Sequence, residues 1–167
     1  MAMSKQSKIT KAIARKVLDT VDAGLVGGVG VPAPGHMCVE AAVCYALGLA
    51  HGDDPGCVAP ALRALQIRLN DSNWSSPTSR AAGMRRLAVA QLGSAGVLNE
   101  KEFTRRVAYT AAKAAYAASA IAAYRVAYRV AAGGARDKSL SEYAEVVVQI
   151  LIEMKAPGVQ WLELAPL

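Results

Sequence analysis

Residues 37 to 50, MCVEAAVCYALGLA, are apolar almost all the way round a helix, and Glu40 carries their only formal charge. A helix without a polar face has to be enclosed by other elements. The spacing therefore predicts a central helix from His36 to Gly48, with the rest of the chain packed round it. Glu40 is then a carboxylate that must find a partner indoors. All three cysteines (Cys38, Cys44, Cys57) and both histidines (His36, His51) fall between Gly35 and Pro60, so the candidate chemistry is gathered there as well.

What surrounds such a helix is set by side-chain size. Hydrophobic residues make up 53% of the chain, yet aromatics are 5% and there is one phenylalanine. The bulk is alanine, which suits closely packed helices and not a sheet sandwich. The fold expected is all-α: residues 1 to 167 as a single domain of about six helices. A chain of 167 residues is long enough for one proper core. No run of ~18 apolar residues is free of charge, so no membrane span is expected. The N-terminal lysines are not followed by an apolar stretch, which argues against a signal peptide. An odd number of cysteines fits reduced thiols and a cytoplasmic location.

The helices can be placed in order. Residues 4 to 22 read as the first, with Ile9, Ile13, Val17 and Val21 at helical spacing. Ala23 to Gly35 is a loop of helix breakers, either a plain connector or a Gly-rich turn whose N–H groups hold an anion. Pro60 to Asn70 forms the next helix after the central one. Ser76 with Pro77 marks the start of another, running to Leu92. Asn99 and Glu102 have capping-box spacing, with Leu98 and Phe103 as a staple. From 100 the pattern is helical to 132, where Gly133-Gly134 stops it, giving a rod of about 50 Å. Ser139 and Glu142 then cap a last helix to about Lys155. The tail VQWLELAPL is expected to dock on the body or on a neighbouring subunit, in part as an extended segment.

Charge is uneven along the chain. Between 101 and 136, Lys101, Arg105, Arg106, Lys113, Arg125, Arg129 and Arg136 face one acid, Glu102. Between 137 and 167, five acids face two lysines. The basic part favours an anionic partner; the acidic part can neutralise it within the fold or across an oligomer. A mean hydropathy of +0.23 and a rod longer than one small domain needs point to a homo-oligomer.

Three constellations could carry chemistry. Cys38, in the first turn of a helix, has the dipole to lower its thiol pKa. Its nearest downstream histidine, His51, starts ~15–20 Å away along a straight helix, so the alternative is a small buried thiol that contacts Cys57. Glu40 is either a general base with a raised pKa or a structural partner of Arg85 or Arg86. Cys38, His51, Asp53, Asp54 and Cys57 are metal-ligand types, but no CxxC knuckle is present and no metal or cofactor is expected. On the long helix, Arg105, Arg106, Tyr109, Lys113 and Tyr116 share about a third of the circumference. Tyrosine among Arg and Lys is suited to stacking on bases and neutralising phosphates; the alternative is that the rings roof the core.

Met37, Cys38, Val39, Ala42, Val43, Gly48, Asp53, Pro55, Cys57, Pro60, Asn70 and Asp71 fall on the pattern MCVxEAVAYxxGxxxSDxPxCxxPxxxxxxxxxND. In this the chain resembles a group of small bacterial and phage-associated proteins, and VVQILIEMKAPGVQWLELAPL is similar to the ending of related phage-associated chains. Gly52 and Asp54 depart from the residues often found there, Ser and His, which weakens any site needing a histidine at 54. The resemblance brings a residue pattern and no activity. Together these readings predict a non-enzymatic binding protein, a phage-associated accessory or counter-defence factor. It would take an anionic small molecule or nucleic acid on Arg105, Arg106, Tyr109, Lys113 and Tyr116. A small hydrolase or transferase using Cys38 or Glu40, and an inhibitor that binds another protein, are the alternatives.

Overall fold

The computed structural model describes residues 8–110 and 132–167. The fold is all-α. Among the described residues there is no strand, and the one β feature is an isolated antiparallel bridge between Gly30 and Met37. No helix among them is long and apolar enough to cross a membrane.

At Thr10, Ser76 and Asn99 a side chain just before a helix accepts one of its first backbone N–H groups. Helix α1, Lys11–Asp22, starts after Thr10, whose Oγ1 accepts from Ile13 N–H. It is therefore shorter than the expected 4 to 22. Helix α2, Val39–Leu47, is the central helix, and Val39 through Cys44 are all buried. Gly48, at φ 70, closes it in the left-handed conformation that favours glycine. Leu49 N–H returns to Cys44 O at 2.9 Å. Helix α3, Pro60–Asn70, has proline at its first position, and Ala61 N–H donates to Glu100 Oε2 at 2.7 Å. Helix α4, Pro77–Ala90, is capped by Ser76 Oγ, as the Ser-Pro pair predicts.

Helix α5 opens at residue 100 and is described to 110. Asn99 Oδ1 caps it by accepting from Glu102 N–H at 3.1 Å. Only half of the expected capping box forms, because the Glu102 carboxylate turns to Arg105 and Arg106 instead. The expected course from 111 to 131 lies outside the described residues. Helix α6, Ala132–Glu153, corrects the sequence reading: it runs through Gly133, Gly134 and Ser139. Two glycines cost a helix roughly 1 kcal/mol each relative to alanine. Tertiary contacts outweigh that here. Ala144, Val147, Val148, Ile150 and Leu151 are buried, and Asp137 accepts Ser75 N–H at 2.9 Å. Lys155, at φ 53, turns the chain out of α6. The tail then forms a 3-10 helix, Pro157–Leu164, and not an extended segment. It docks on the body, as expected, against α4 and α1.

The most buried helix and the best-connected one are different. α2 supplies the largest unbroken buried run, but α4 touches α1, α2, α6 and the 3-10 helix. Small residues allow these approaches. A Cβ on Gly158 would meet the Val89 and Ala90 carbonyl oxygens at 2.5 Å, and one on Gly83 would meet the Trp74 ring at 2.4 Å.

Candidate functional site

A cleft of about 700 Å3 lies between α5 and α6. Arg105, Arg106 and Tyr109 line it from α5. Facing them on α6 are Glu142, Glu145 and Glu153, with Val146 and Ile150 as apolar lining. Three of the five residues expected to bind a ligand are thus brought to one cleft. Lys113 and Tyr116 lie outside the described residues.

The charges of this cleft are already engaged. Arg105 grips Glu102 with two bonds of 2.8 Å. Arg106 donates to Glu102 and, from its other side, to Glu153, both at 2.7 Å. Glu145 is held by Arg86 at 2.9 Å and by Gln149 at 2.8 Å. Hydrogen bonds from Arg105 and Arg106 pull the Glu102 pKa down to about 2, so it stays ionised in neutral solution. Tyr109 is 64% exposed. Among the described residues one ion pair, Arg106–Glu153, joins the basic part to the acidic C-terminal part; Glu145 pairs instead with Arg86, Glu163 with Lys11 and Glu142 with Lys138. The acidic wall was not recognised as part of a site. Its signal is present in the spacing of Glu142, Glu145, Gln149 and Glu153, which share a helical face.

Glu40 is fully buried and departs from its expected partners. Arg85 pairs with Asp22 at 2.8 Å and Arg86 with Glu145, so neither reaches it. Both Glu40 oxygens lack a hydrogen-bond partner. Burial pushes its pKa up to about 8, partly opposed by Arg63. Arg63 itself is turned outward, donating to Asp53 O at 3.1 Å and standing near the Asp53 and Asp54 carboxylates. Glu40 is thus a neutral acid near pH 7, with Gln91 close by but not within good hydrogen-bond geometry.

Cys38 is the N-cap of α2, its Sγ accepting Ala41 N–H at 3.3 Å. Helix position alone predicts a lowered thiol pKa, but burial outweighs the dipole and raises it. His51 is exposed, its Nε2 within 2.9 Å of Gly30 O. Cys38 and Cys57 belong to separate buried clusters, and Cys44 lies within electrostatic range of both. Burial pushes Cys44 up to about 12. Among the described residues, no group of three or more His, Cys, Asp and Glu is placed to hold a metal ion.

The Gly-rich loop is a pinned connector. Gly28 N–H donates to Asp71 Oδ1 at 2.8 Å. Val26 and Val31 N–H go to Met37 O and His36 O. Asn70 joins the loop to α2, accepting Val39 N–H and donating to Val26 O. Asp71 already takes the Gly28 N–H, and Asn70 and Cys38 take the Val39 and Ala41 N–H groups at the start of α2, so these donors are not available to an anion.

The fold and the cleft define an all-α domain with a solvent-open, mixed-charge groove. Compared with known proteins, the chain matches no family model, no curated protein and no solved structure.

Proposed function

We propose that this is a non-enzymatic binding protein whose α5–α6 cleft takes a small anionic ligand with an aromatic ring, of the nucleotide class. The observation that carries the reading is the meeting of Arg105, Arg106 and the exposed residue Tyr109 in one cleft. Its volume falls within the roughly 300–1,000 Å3 of small-molecule sites. The ring stacks on Tyr109 while the anion takes the guanidinium groups from Glu102. The facing Glu142, Glu145 and Glu153 favour a compact ligand over a long polyanion, whose further phosphates they repel. Lys113 and Tyr116, which the sequence spacing groups with these residues, lie outside the described residues. Burial of Cys38 and Glu40 disfavours the hydrolase and transferase alternatives. In this reading the protein works in the cytoplasm as a homo-oligomer and serves a phage-associated accessory or counter-defence role.

Calorimetric titration with nucleoside mono-, di- and triphosphates and short oligonucleotides tests it. Tyr109→Ala should weaken binding about tenfold or more at every salt concentration, since stacking contributes roughly 1–3 kcal/mol. Arg105→Ala should weaken it mainly at low salt. Lys113→Ala and Tyr116→Ala belong in the same series. No binding of any nucleotide at millimolar concentration overturns the reading.

A further inference from the structure

Glu40 of α2, Gln66 of α3 and Gln91 at the end of α4 are each fully buried. Five of their side-chain atoms have no hydrogen-bond partner: both Glu40 oxygens, Gln66 Oε1, and both ends of the Gln91 amide. Buried polar atoms are almost always paired, with protein or with ordered water.

Several contacts bring the three residues into one neighbourhood. Gln91 is close enough to Glu40 to act on its ionisation. Leu87 O accepts both Gln66 Nε2, at 3.3 Å, and Gln91 N–H, at 3.2 Å. On α3, Arg63, Gln66 and Asn70 follow at helical spacing on one face. Arg63 acts electrostatically on Glu40, and Asn70 accepts the Val39 N–H beside it. Gln66 lies between those two points on α3, with its amide Nε2 on α4 at Leu87 O.

We propose that Glu40, Gln66 and Gln91 enclose an internal hydration site, where ordered water bridges the Glu40 carboxyl group to both amides and joins α2, α3 and α4. The unpartnered set is mixed: carbonyl and carboxyl oxygens that accept, and the Gln91 amide that donates. Water offers both donors and acceptors, and buried waters characteristically satisfy two to four such groups. A monovalent cation fits less well. It would face the Gln91 NH2 group and the nearby Arg63 charge, and would require Glu40 to be ionised. The other titratable groups around Glu40 are Asp53 and Asp54 in the loop before α3, Cys38 and Cys44 on α2, and Cys57. The two aspartates oppose ionisation of Glu40 and so favour the neutral acid that water can bridge, while the cysteines, their pKa values raised by burial, stay neutral thiols.

The test is water-to-protein Overhauser spectroscopy on the intact, isotope-labelled protein at pH 6.5, with the Glu40 side-chain carbon shift recorded in sodium, potassium and ammonium buffers. The expected result is a long-lived water signal at the Gln91 side-chain amide protons and a neutral-acid Glu40 shift, the same in all three buffers. Glu40→Gln, which keeps the shape and hydrogen-bonding capacity without charge, should keep the water signal. A direct through-bond coupling between the Gln91 amide and the Glu40 carboxyl, with no water signal, overturns the proposal. So does an ionised Glu40 whose shift depends on the cation, with the water signal lost in Glu40→Gln.

Discussion

Glu40 and Glu102 are the same side chain in two regions of one small fold, and their acidities are moved in opposite directions. Glu40 sits in the interior of α2, where loss of solvent raises its pKa to about 8. Glu102 sits on the open first turn of α5, where hydrogen bonds from Arg105 and Arg106 lower it to about 2. The interior has few charges and no close counter-ion for its acid. The cleft has many charges, all within reach of opposite ones. Desolvation controls the first region, and hydrogen bonding to cations controls the second. The two regions should therefore answer differently to charge substitution, to pH and to ligand.

Charge substitution should separate them most. Glu40→Lys replaces a neutral acid with a longer side chain beside Arg63, in a site with no counter-ion in contact. A loss of roughly 4 kcal/mol or more is expected, enough to leave the chain largely unfolded. Glu142→Lys, on the open wall of the cleft, should stay within ~0.5 kcal/mol of the parent. Urea unfolding measures both. Equal losses would mean that the cleft is as intolerant of charge as the core, and the contrast would fail.

The pH dependence has two limbs, one from each region. Glu40 has a folded pKa above its ordinary value of 4.5, so the folded state holds a proton that the unfolded state releases. Its stabilisation is full below pH 4.5 and is lost as pH rises from there through about 8. The slope reaches at most ~1.4 kcal/mol per pH unit, for a total on the order of a few kcal/mol. Glu102 has a folded pKa below its ordinary value, so its contribution is present above pH 4.5 and is lost as pH falls toward about 2. Asp137, held by Ser75, and Glu163, held by Lys11, act on the same acid limb. Stability should peak near pH 4.5 to 5. Glu40→Gln should flatten the alkaline limb and leave the acid limb unchanged. Thermal unfolding from pH 3 to pH 9 reads both, and an alkaline limb that persists in Glu40→Gln removes Glu40 as its source.

The interior was the more legible of the two regions. An apolar run with one charge calls for enclosure, and Met37 through Cys44 are enclosed, while Tyr45 and Leu49 at its C-terminal end are exposed. The starts of α4 and α5 were legible because Ser76 and Asn99 act on N–H groups only three residues away. What failed to read was long-range. Arg85 finds Asp22 at a separation of 63 residues, and Arg86 finds Glu145 at 59. Nothing local ranks those carboxylates above Glu40. Gly133-Gly134 reads as a stop because intrinsic propensity is local, while the Asp137–Ser75 contact that anchors the early turns of α6 spans 62 residues. In the cleft, the common face of Arg105, Arg106 and Tyr109 followed from helical spacing alone. The wall opposite required knowing that α5 lies along α6, which the Arg106–Glu153 bond, 47 residues apart, records.

The smallest expected effect on stability is also the sharpest test of the cleft. Glu102→Gln removes the carboxylate that both arginines hold, on a partly exposed surface turn where salt and water screen it. Little change in thermal midpoint is expected at neutral pH. Binding should change in the opposite sense to an ordinary loss-of-contact variant. Glu102 occupies the guanidinium faces that an anionic ligand needs, and its low pKa keeps that competition in place throughout the neutral range. With the charge gone, Arg105 and Arg106 are more available and nucleotide affinity should rise several-fold, most at low ionic strength. A cationic ligand would respond the other way, losing affinity as the cleft becomes more positive. Titration of Glu102→Gln beside Tyr109→Ala therefore reads the sign of the ligand's charge and the presence of its ring separately. Unchanged affinity in both variants would place nucleotide binding outside this cleft.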